Sequence, residues 1–380
     1  MSTVFYILLI ATVIQLFYFF FFYLRIVLVH IPSTNVVGGD TNHVYKDKEQ
    51  ENPEPVSIIV CAHNELENLK RLVPLILQQQ YKNFELLVAD DRSTDGSFDY
   101  FRKIYADNDR FKIIRMEENK EGENFKKHAL TKAIEAAKFE ILLLTDADCI
   151  PASDYWVASM IASLEEGKEI VLGYSPYAYR NGWLNVLIRY ETLHTAVQYF
   201  SFTLAGLPYM GVGRNLLYKK TIFERNKGFN THITTMGGDD DLFIREVAKK
   251  ETVGICMNKE AQMISVPKGN YLSWFKQKRR HLSVGPKYRL MPKFLLGLEM
   301  LSHIVFYISL GTLFCINSGT AFLFLMTRSL VFVVIFALIA RKLGDKYTWW
   351  WLLLPIDIVY IFNNLIIAFS LVIDKKIKWS

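Results

Sequence analysis

Two acidic residues separated by one position follow an apolar run in the middle of the chain. Asp146 and Asp148 come directly after residues 141–145, which the sequence predicts to be a buried β-strand. Two carboxylates at a rigid strand end can hold a hard cation such as Mg²⁺ or Mn²⁺, which takes further oxygen ligands from substrate phosphates. The pair predicts a divalent-metal site for a phosphate-bearing substrate, and the alternative interpretation is a solvated turn.

Three consecutive aspartates form a second acidic group. Asp239, Asp240 and Asp241 follow two glycines and open a predicted helix that continues to about residue 250. A helix N-terminus favours negative charge, but capping alone needs only one carboxylate. Another of the three can act as general base on a hydroxyl acceptor. The alternative is a solvated cap without a chemical role.

Two further motifs suit a nucleoside diphosphate. Asp91 follows another predicted strand and is a candidate ligand for the nucleotide, with an Asx turn or a helix cap as the alternative. Gln277 and Arg280 share one face of a basic helix, from which the Arg280 guanidinium can grip a diphosphate through its planar fork. For the neighbouring Lys276, Lys278 and Arg279, binding of anionic lipid head groups is the preferred interpretation.

The elements that position these residues alternate between short β-rich runs and amphipathic helices. The pattern predicts strands over residues 56–61, 84–89, 112–115, 140–145 and 169–174, with helices over 65–79, 98–105, 125–137 and 152–164. Such alternation is typical of an α/β fold with a mainly parallel sheet, in which ligands bind beyond the carboxyl ends of the strands. The polar clusters follow three of these strands. No GxGxxG follows the first strand, which argues against a dinucleotide-binding fold.

The composition indicates a membrane protein. Of 380 residues, 51% are hydrophobic, and long apolar stretches lie at residues 4–29 and, three times, within residues 295–373. Because a spanning helix needs about 20 apolar residues, we expect one N-terminal and about three C-terminal transmembrane helices. The predicted domains are an uncleaved anchor (1–30), a linker (31–55), an α/β domain (56–285) and a C-terminal membrane region (286–380).

The charge pattern predicts how the chain sits in the membrane. A net charge of +6 without a basic stripe indicates no nucleic-acid partner. Basic residues flank the middle section at Arg25, Lys46, Lys48, Lys287, Arg289 and Lys293. This pattern predicts that the protein lies in the cytoplasmic membrane and that its α/β domain faces the cytosol. By the same rule, the basic loop after residue 340 and the basic tail after residue 374 should both lie in the cytosol. However, one apolar stretch separates them, and a single crossing would place them on opposite sides of the membrane. One C-terminal segment is therefore either re-entrant or interfacial.

Read in order, these motifs resemble the inverting family 2 glycosyltransferases with the GT-A fold, and within them the bacterial membrane-anchored members distantly related to cellulose and hyaluronan synthases. The resemblance covers roughly residues 56–281. It rests on A-H-N-E at 62–65, D-D-R-S-T-D-G at 90–96, K-K-H-A-L at 126–130, D-A-D at 146–148, G-V-G-R-N at 211–215 and Q-x-x-R at 277–280.

The resemblance implies a role for each matched residue. The metal ligands would be Asp146 and Asp148. Donor-binding residues would be Ala62, Asn64, Glu65, Asp91, Lys126, Lys127, Asp146, Gln277 and Arg280. Residues on the acceptor side would be Gly211, Gly213, Asn215 and His281.

Three positions depart from the family pattern. The general base corresponds to Asp239 or Asp240, depending on a one-residue shift in the alignment, and Asp239 is preferred. Phe125 stands where the family has the glycine of G-K-x-x-A-L, and His281 replaces the tryptophan that lines the acceptor site. Since imidazole is smaller than indole and titrates near neutrality, we expect a smaller or more polar acceptor.

The sequence as a whole predicts a membrane-bound inverting glycosyltransferase of cell-envelope glycan or glycolipid biosynthesis. The expected partners are a nucleotide-sugar donor, a lipid-linked or saccharide acceptor, the membrane and a divalent metal (Mg²⁺ or Mn²⁺). The alternatives are a processive polysaccharide synthase and a catalytically inactive scaffold. Asp357, with Asn363 and Asn364 in the last apolar stretch, is expected either to line the path of a lipid head group or to form a structural hydrogen-bond cluster.

Overall fold

A computed structural model describes residues 2–30, 53–116, 124–345 and 352–373. It contains two compact bodies. The sheet body comprises Val29–Pro176 and Gly211–Val266, and the helical body comprises Met1–Leu28, Tyr177–Met210 and Pro267–Ser380. These bodies interleave along the chain, whereas the predicted domains are contiguous segments, and the predicted boundaries stay a prediction. Most of the predicted linker and the basic residues Lys46, Lys48, Lys346, Lys375, Lys376 and Lys378 lie outside the described residues.

The sheet body is built on nine strands. They are β1 (Val56–Ala62), β2 (Phe84–Asp91), β3 (Phe111–Met116), β4 (Ile141–Asp146), β5 (Cys149–Pro151), β6 (Ile170–Gly173), β7 (Leu216–Lys219), β8 (Val253–Cys256) and β9 (Met263–Ser265). Seven of them form a mixed sheet in the order β3-β2-β1-β4-β7-β6-β8, and β5 pairs with β9. Strands β1 to β4 are parallel to one another, while β7 runs antiparallel to both β4 and β6. The largely parallel α/β sheet expected from the sequence is confirmed.

The helices of the sheet body follow the predicted alternation. They are α3 (Leu66–Leu77), α4 (Ser97–Ile104), α5 (Phe125–Ala136), α6 (Trp156–Ala162), α8 (Lys220–Arg225) and α9 (Asp241–Val247). The observed ends of α3 to α6 lie within four residues of the predicted ones, because the apolar period fixes the middle of a helix better than its ends. Strands β5, β7, β8 and β9 were not predicted, since runs of three or four residues carry little periodic signal.

The core of the sheet body explains why β1, β2 and β4 read as continuous apolar runs. Ile58, Leu86 and Leu143 are fully buried and lie side by side in register across the three strands. They pack in one cluster with apolar residues of α3, including Leu69 and Leu72. A parallel sheet covered by helices buries its central strands in this way, which holds the carboxyl ends of the strands rigid.

The helical body contains seven helices among the described residues. They are α1 (Ser2–Phe17), which continues through a π-helical segment (Tyr18–Tyr23) into α2 (Leu24–Leu28), then α7 (Trp183–Leu204), α10 (Tyr271–Leu282), α11 (Leu290–Ile316), α12 (Ser318–Lys342) and α13 (Leu353–Ile373). Four segments of this part of the chain are long and apolar enough to cross a membrane: Thr3–Leu28, Leu290–Ile316, Ser318–Lys342 and Leu353–Ile373. The expected number of long apolar helices, one N-terminal and three C-terminal, is confirmed.

Buried polar groups link the apolar helices of the helical body. The Asp357 carboxylate accepts hydrogen bonds from the Arg328 guanidinium (2.7 Å), Tyr190 Oη (2.8 Å) and Tyr307 Oη (2.8 Å). Asp357 and Arg328 are fully buried. Ionisable groups at membrane depth usually face protein and pair with one another, so this geometry supports the structural alternative for Asp357.

Candidate active site

The carboxyl ends of β1, β2 and β4 meet at one edge of the sheet. In the sheet register Ala62 pairs with Asp90, and Cys61 pairs with both Ala89 and Asp146. The three predicted polar clusters therefore begin at the same level of neighbouring strands. This edge is where a parallel α/β sheet binds its ligand.

A single ammonium group joins the two acidic clusters. Lys126, in the first turn of α5, places its Nζ 3.1 Å from Asp146 Oδ1 and 2.9 Å from Asp239 Oδ2. A small cavity opens beside these groups, and its lining also includes Asp240, Gly213 and Cys61. Residues far apart in the sequence, at 126, 146 and 239, are thus brought together as the resemblance implies.

The charges in this cavity are unequal. Asp146, Asp239 and Asp240 place three carboxylates around the one ammonium of Lys126. Burial alone would lower the pKa of Lys126, but the three carboxylates outweigh it and hold that pKa well above its usual value. Two unit charges 4 Å apart in such surroundings interact by about 4 kcal/mol. The cluster therefore keeps Lys126 charged, and its three carboxylates outnumber the ammonium groups that line the cavity.

Asp239 and Asp240 have different surroundings, which bears on which of them is the base. Asp240 caps α9: its Oδ1 accepts the Asp241 N–H (2.8 Å) and its Oδ2 accepts the Gly213 N–H (2.8 Å). Burial and the neighbouring Asp239 carboxylate raise the pKa of Asp240. Burial acts in the same direction on Asp239, but the Lys126 ammonium outweighs it and lowers the pKa of Asp239. Asp239 is thus paired with the Lys126 ammonium, whereas each carboxylate oxygen of Asp240 accepts a backbone N–H.

The residues present suit a divalent metal that is bound together with a substrate. Within the described ranges, no group of three or more His, Cys, Asp or Glu side chains is arranged to hold a metal ion. Mg²⁺ sites in proteins commonly use one or two carboxylates and complete their shell with water and substrate phosphates. Asp146, which lines the cavity, and Asp148, two residues further along the chain, are both half-buried and fit that donor set.

The Cys61 thiol also lines the cavity, but burial raises its pKa to about 12. The thiol therefore stays protonated at neutral pH and is a poor nucleophile. All four cysteines are free in the structure.

At the ends of β1 and β2 the motif side chains bond to one another. The Asn64 N–H donates to Ser93 Oγ (2.9 Å), and Asn64 Oδ1 accepts the Thr94 N–H (2.8 Å). Asp95 accepts the Leu66 N–H (2.8 Å) at the start of α3. Asn64 has a φ of 56°, a left-handed conformation that asparagine adopts more readily than most residues. The two motifs therefore form one interlocked loop, while their predicted contacts with the donor stay a prediction.

Arg92 belongs to this region although the sequence analysis did not single it out. Its Nε donates to Asp91 Oδ1 (2.9 Å), and its guanidinium carbon lies 3.4 Å from the centre of the Phe125 ring. Phe125 is the residue that departs from the family glycine, so the aromatic side chain has a partner here. The signal in the sequence was weak, because Arg92 occupies the variable position of its motif and Phe125 follows it by 33 residues.

The two lysines predicted to bind the donor have different environments. Lys126 points into the cavity, whereas Lys127 is fully buried and donates to the carbonyl oxygens of His232 (2.6 Å) and Thr235 (3.0 Å). Because the Lys127 ammonium bonds to backbone carbonyl oxygens, this geometry favours a structural role, in which Lys127 anchors the segment that leads to Asp239. Its predicted contact with the donor stays a prediction.

The glycine-rich segment before β7 contributes backbone contacts to the site. Gly213 approaches Asp240 so closely that a Cβ atom at this position would lie 3.3 Å from the Asp240 carboxylate. Gly211 is packed against Leu172, Leu216 and Ile244. Asn215 is fully buried, and its two amide hydrogens bond to the carbonyl oxygens of Tyr174 (2.8 Å) and Ala261 (2.7 Å). The acceptor role of all three residues stays a prediction, and for Asn215 the amide hydrogens are already engaged.

The remaining predicted site residues, Gln277, Arg280 and His281, lie on α10 of the helical body. Gln277 Nε2 donates to Tyr177 Oη (3.4 Å), and the neighbouring Lys278 forms an ion pair with Glu191 of α7. His281 is exposed at the end of the helix. Lys278, which the sequence analysis assigned to lipid head groups, thus has a carboxylate partner within its own body. The roles expected of Gln277, Arg280 and His281 stay predictions.

Part of the chain is similar in sequence to known glycosyltransferases. Residues 57–236 match the family model described as glycosyl transferase family 2. The chain is 27% identical over 174 residues to the glycosyltransferase AglE of Haloferax volcanii, a match that covers 45% of this chain and 49% of that protein. It is 32% identical over 130 residues to the UDP-Glc:alpha-D-GlcNAc-diphosphoundecaprenol beta-1,3-glucosyltransferase WfaP of Escherichia coli, covering 33% and 46% respectively. The chain therefore spans about half the length of the curated relatives it matches.

Among solved structures, the chain is similar to the mannosyltransferase PcManGT from Pyrobaculum calidifontis in complex with GDP-Man and Mn²⁺. The TM-score is 0.57 at 17% sequence identity, and the match covers 91% of this chain and 99% of that chain. At this identity the likeness shows the fold alone, which is the GT-A fold. The chain therefore contains an α/β domain with the GT-A fold, of which residues 57–236 match the glycosyl transferase family 2 model, and its described residues also include four long apolar helices.

Proposed function

We propose that the chain is a membrane-bound inverting glycosyltransferase that transfers a sugar from a nucleotide-diphosphate sugar to a lipid-linked or saccharide acceptor. The observation that carries this proposal is the group of three carboxylates, Asp146, Asp239 and Asp240, gathered around Lys126 at the carboxyl edge of the sheet. Such a group provides both of the functions that the reaction needs, a cation site for the diphosphate and a base for the acceptor hydroxyl.

In the proposed reaction Asp239 takes the proton of the acceptor hydroxyl. The acceptor oxygen forms a bond to the anomeric carbon, the bond from that carbon to the diphosphate oxygen breaks, and the electron pair leaves with the nucleoside diphosphate. Asp239 suits the role better than Asp240, because both carboxylate oxygens of Asp240 already accept backbone N–H groups. Asp240 instead fixes the start of α9 and so orients its neighbour.

Asp146 and Asp148 are the residues that would hold a divalent metal, which when bound neutralises charge on the diphosphate. Lys126 lies between this pair and Asp239, 3.1 Å from the one side and 2.9 Å from the other. Its ammonium is therefore within reach of both ends of the reacting complex. We expect it to balance the carboxylates without a donor and to contact the diphosphate when a donor binds.

A lipid-linked acceptor is the finer part of the proposal. Four helices long enough to cross a membrane belong to the same chain as the transferase domain, and the name of the relative WfaP states that it acts on a diphosphoundecaprenol-linked sugar. The charge pattern supports a transferase domain on the cytosolic side, where nucleotide sugars are made. We place the protein in cell-envelope glycan or glycolipid synthesis on these grounds.

A screen of nucleotide sugars tests the proposal. The full-length protein in detergent is mixed with Mn²⁺ and each donor in turn, and its thermal stabilisation and the release of nucleoside diphosphate are recorded. Binding of a donor at 100 times its Kd should stabilise the fold by about 2.7 kcal/mol. We expect one donor to stabilise the protein and to be hydrolysed slowly in the absence of acceptor. An inactive scaffold would give neither response with any donor.

A further inference from the structure

The basic residues near the C-terminus raise a question about α13. Arg341 and Lys342 end α12, and Lys375 and Lys376 follow α13. Both groups indicate the cytosolic side by the positive-inside rule. If α13 crossed the membrane, the two groups would face opposite sides. The contacts of α13 within the helical body bear directly on this conflict.

The N-terminal helix gives a depth scale for the helical body. At one end, the Phe5 ring lies 5.6 Å from that of Phe324, and Leu8 packs with Leu313. At the other end, Lys342 Nζ donates to the Val27 carbonyl (2.9 Å). We call these the Phe5 end and the Val27 end. Helix α12 runs from the first to the second, so it crosses the full depth.

Helix α13 begins about halfway along this scale. Asp357, one turn after the start of α13, is bonded to Arg328, and Arg328 Nε also donates to Gln15 Oε1 (2.8 Å). Gln15 precedes Val27 by 12 residues, which is about 18 Å at the 1.5 Å rise of a helix. The start of α13 is therefore buried in protein at mid-depth, where charged groups need partners of this kind.

From this point α13 runs toward the Val27 end. The ring of Tyr360 lies 4.9 Å from that of His194, which in turn lies 6.3 Å from that of Tyr23. Tyr23 is four residues from Val27, much nearer to it than Gln15. Asp357 therefore lies at the level of Gln15, and Tyr360 lies closer to the level of Tyr23, so α13 runs toward the Val27 end.

The second half of α13 is held by α10. Asn363 Oδ1 accepts a hydrogen bond from Tyr271 Oη (2.6 Å), and the Ser370 carbonyl accepts one from the Arg279 guanidinium (3.5 Å). Helix α10 follows the transferase domain in the chain and precedes α11, whose Leu295 carbonyl accepts a hydrogen bond from Tyr18 Oη (2.7 Å). Both contacts with α10 therefore lie near the start of α11, on the side from which α11 enters the membrane.

We propose that α13 does not cross the bilayer. It starts at mid-depth and returns to the surface from which the chain entered, so that residues 345 and 373 face the same side, which is the side of α10. Its outward stripe, Phe362, Ile366, Phe369 and Ile373, is between 56% and 71% exposed and has helical spacing. The occupant of this stripe is the hydrocarbon of a single leaflet. The chain then crosses the membrane three times, and both basic groups face the cytosol.

Thiol labelling of the full-length protein in its membrane tests this topology. Cys315, exposed near the end of α11, reports the Phe5 side. In a Cys315→Ser background, Arg341→Cys reports the Val27 side and Ile373→Cys reports the end of α13. Each protein is treated with a membrane-impermeant maleimide in intact cells and in inverted vesicles. We expect Arg341→Cys and Ile373→Cys to label in the same preparation and Cys315 in the other.

Labelling of Ile373→Cys in the same preparation as Cys315 would overturn the proposal. If lipid shields this thiol in both preparations, a protease site appended after Ser380 reads the same side without a thiol reaction. Cleavage in the preparation that labels Arg341→Cys supports the re-entrant arrangement, and cleavage in the other one overturns it. The result is independent of enzymatic activity, so its failure leaves the proposed transferase function standing.

Discussion

At the ends of β1 and β2 the polar side chains bond to one another, whereas at the end of β4 three carboxylates surround one ammonium group. In the first region Asn64, Ser93, Thr94 and Asp95 satisfy each other and the local backbone N–H groups. In the second, Lys126 contacts Asp146 and Asp239 and lines one cavity with Asp240. The first set of residues shapes the site and the second is available for chemistry, although both sets resemble motifs of one family.

The largest effect is expected at Asp239. Asp239→Asn removes the proposed base but keeps the shape of the side chain, so sugar transfer should fall by about 10²- to 10⁴-fold. Binding of the donor, measured by its thermal stabilisation of the protein, should change little, because the base acts on the acceptor.

Asp240→Asn is the matched control for this variant. Asparagine is as good a helix cap as aspartate, so α9 should keep its start. Its single amide oxygen can accept only one of the two N–H groups that Asp240 binds, so stability should fall somewhat while transfer stays within about tenfold of wild type. If Asp240→Asn loses transfer and Asp239→Asn keeps it, the assignment of the two residues is reversed.

Lys126→Met and Lys127→Met compare two adjacent lysines of α5, one that contacts carboxylates and one that contacts backbone carbonyl oxygens. Without the Lys126 ammonium, three carboxylates remain near one another at a cost of several kcal/mol. We therefore expect donor KM to rise and kcat to fall in Lys126→Met, with the melting temperature nearly unchanged once Mn²⁺ is added. Lys127→Met leaves two carbonyl oxygens buried without a donor, so it should lower stability by about 2 kcal/mol. Kinetics and melting temperature of both variants in detergent check this difference, and equal effects on both would contradict it.

The interlocked loop should give the smallest effect on sugar transfer, with its main effect on stability. Asn64→Ala places alanine at a φ of 56° and removes the acceptor of the Thr94 N–H, which should cost about 1–3 kcal/mol of stability. Asn64→Gly removes the same acceptor without the backbone strain and should cost less. Both melting temperatures are measured with and without donor. If Asn64→Gly keeps the stability of wild type but loses donor binding, Asn64 contacts the donor directly.

The sequence predicts the sheet body well because its signals are strong there. Strands β1, β2 and β4 are buried on both faces, so each is a largely apolar run with polar residues at its end or directly after it. The position of the carboxylates at the sheet edge follows from this pattern. Strands β7 and β8 escaped prediction, because four residues between loops do not show a period.

The sequence could not predict which side chains contact one another in the site. Adjacent lysines give no indication that Lys126 faces carboxylates while Lys127 faces carbonyl oxygens. That difference depends on the course of the chain from His232 to Asp239, which approaches α5 only in the folded state. The same holds for Arg92 and Phe125, which meet through tertiary packing. The charge pattern did indicate a conflict at α13, but only the contacts with Arg328 and Arg279 suggest how it is resolved.

The dependence of donor cleavage on a divalent metal tests the central claim most directly, because that claim assigns the carboxylates of Asp146 and Asp148 to a cation bound with the donor. Release of nucleoside diphosphate is measured for wild type and Asp148→Ala in excess chelator and after Mn²⁺ or Mg²⁺ is restored. We predict that wild type is inactive in chelator and recovers with the metal, while Asp148→Ala stays inactive in both. Full turnover of wild type in excess chelator, or an active Asp148→Ala variant, would contradict the account.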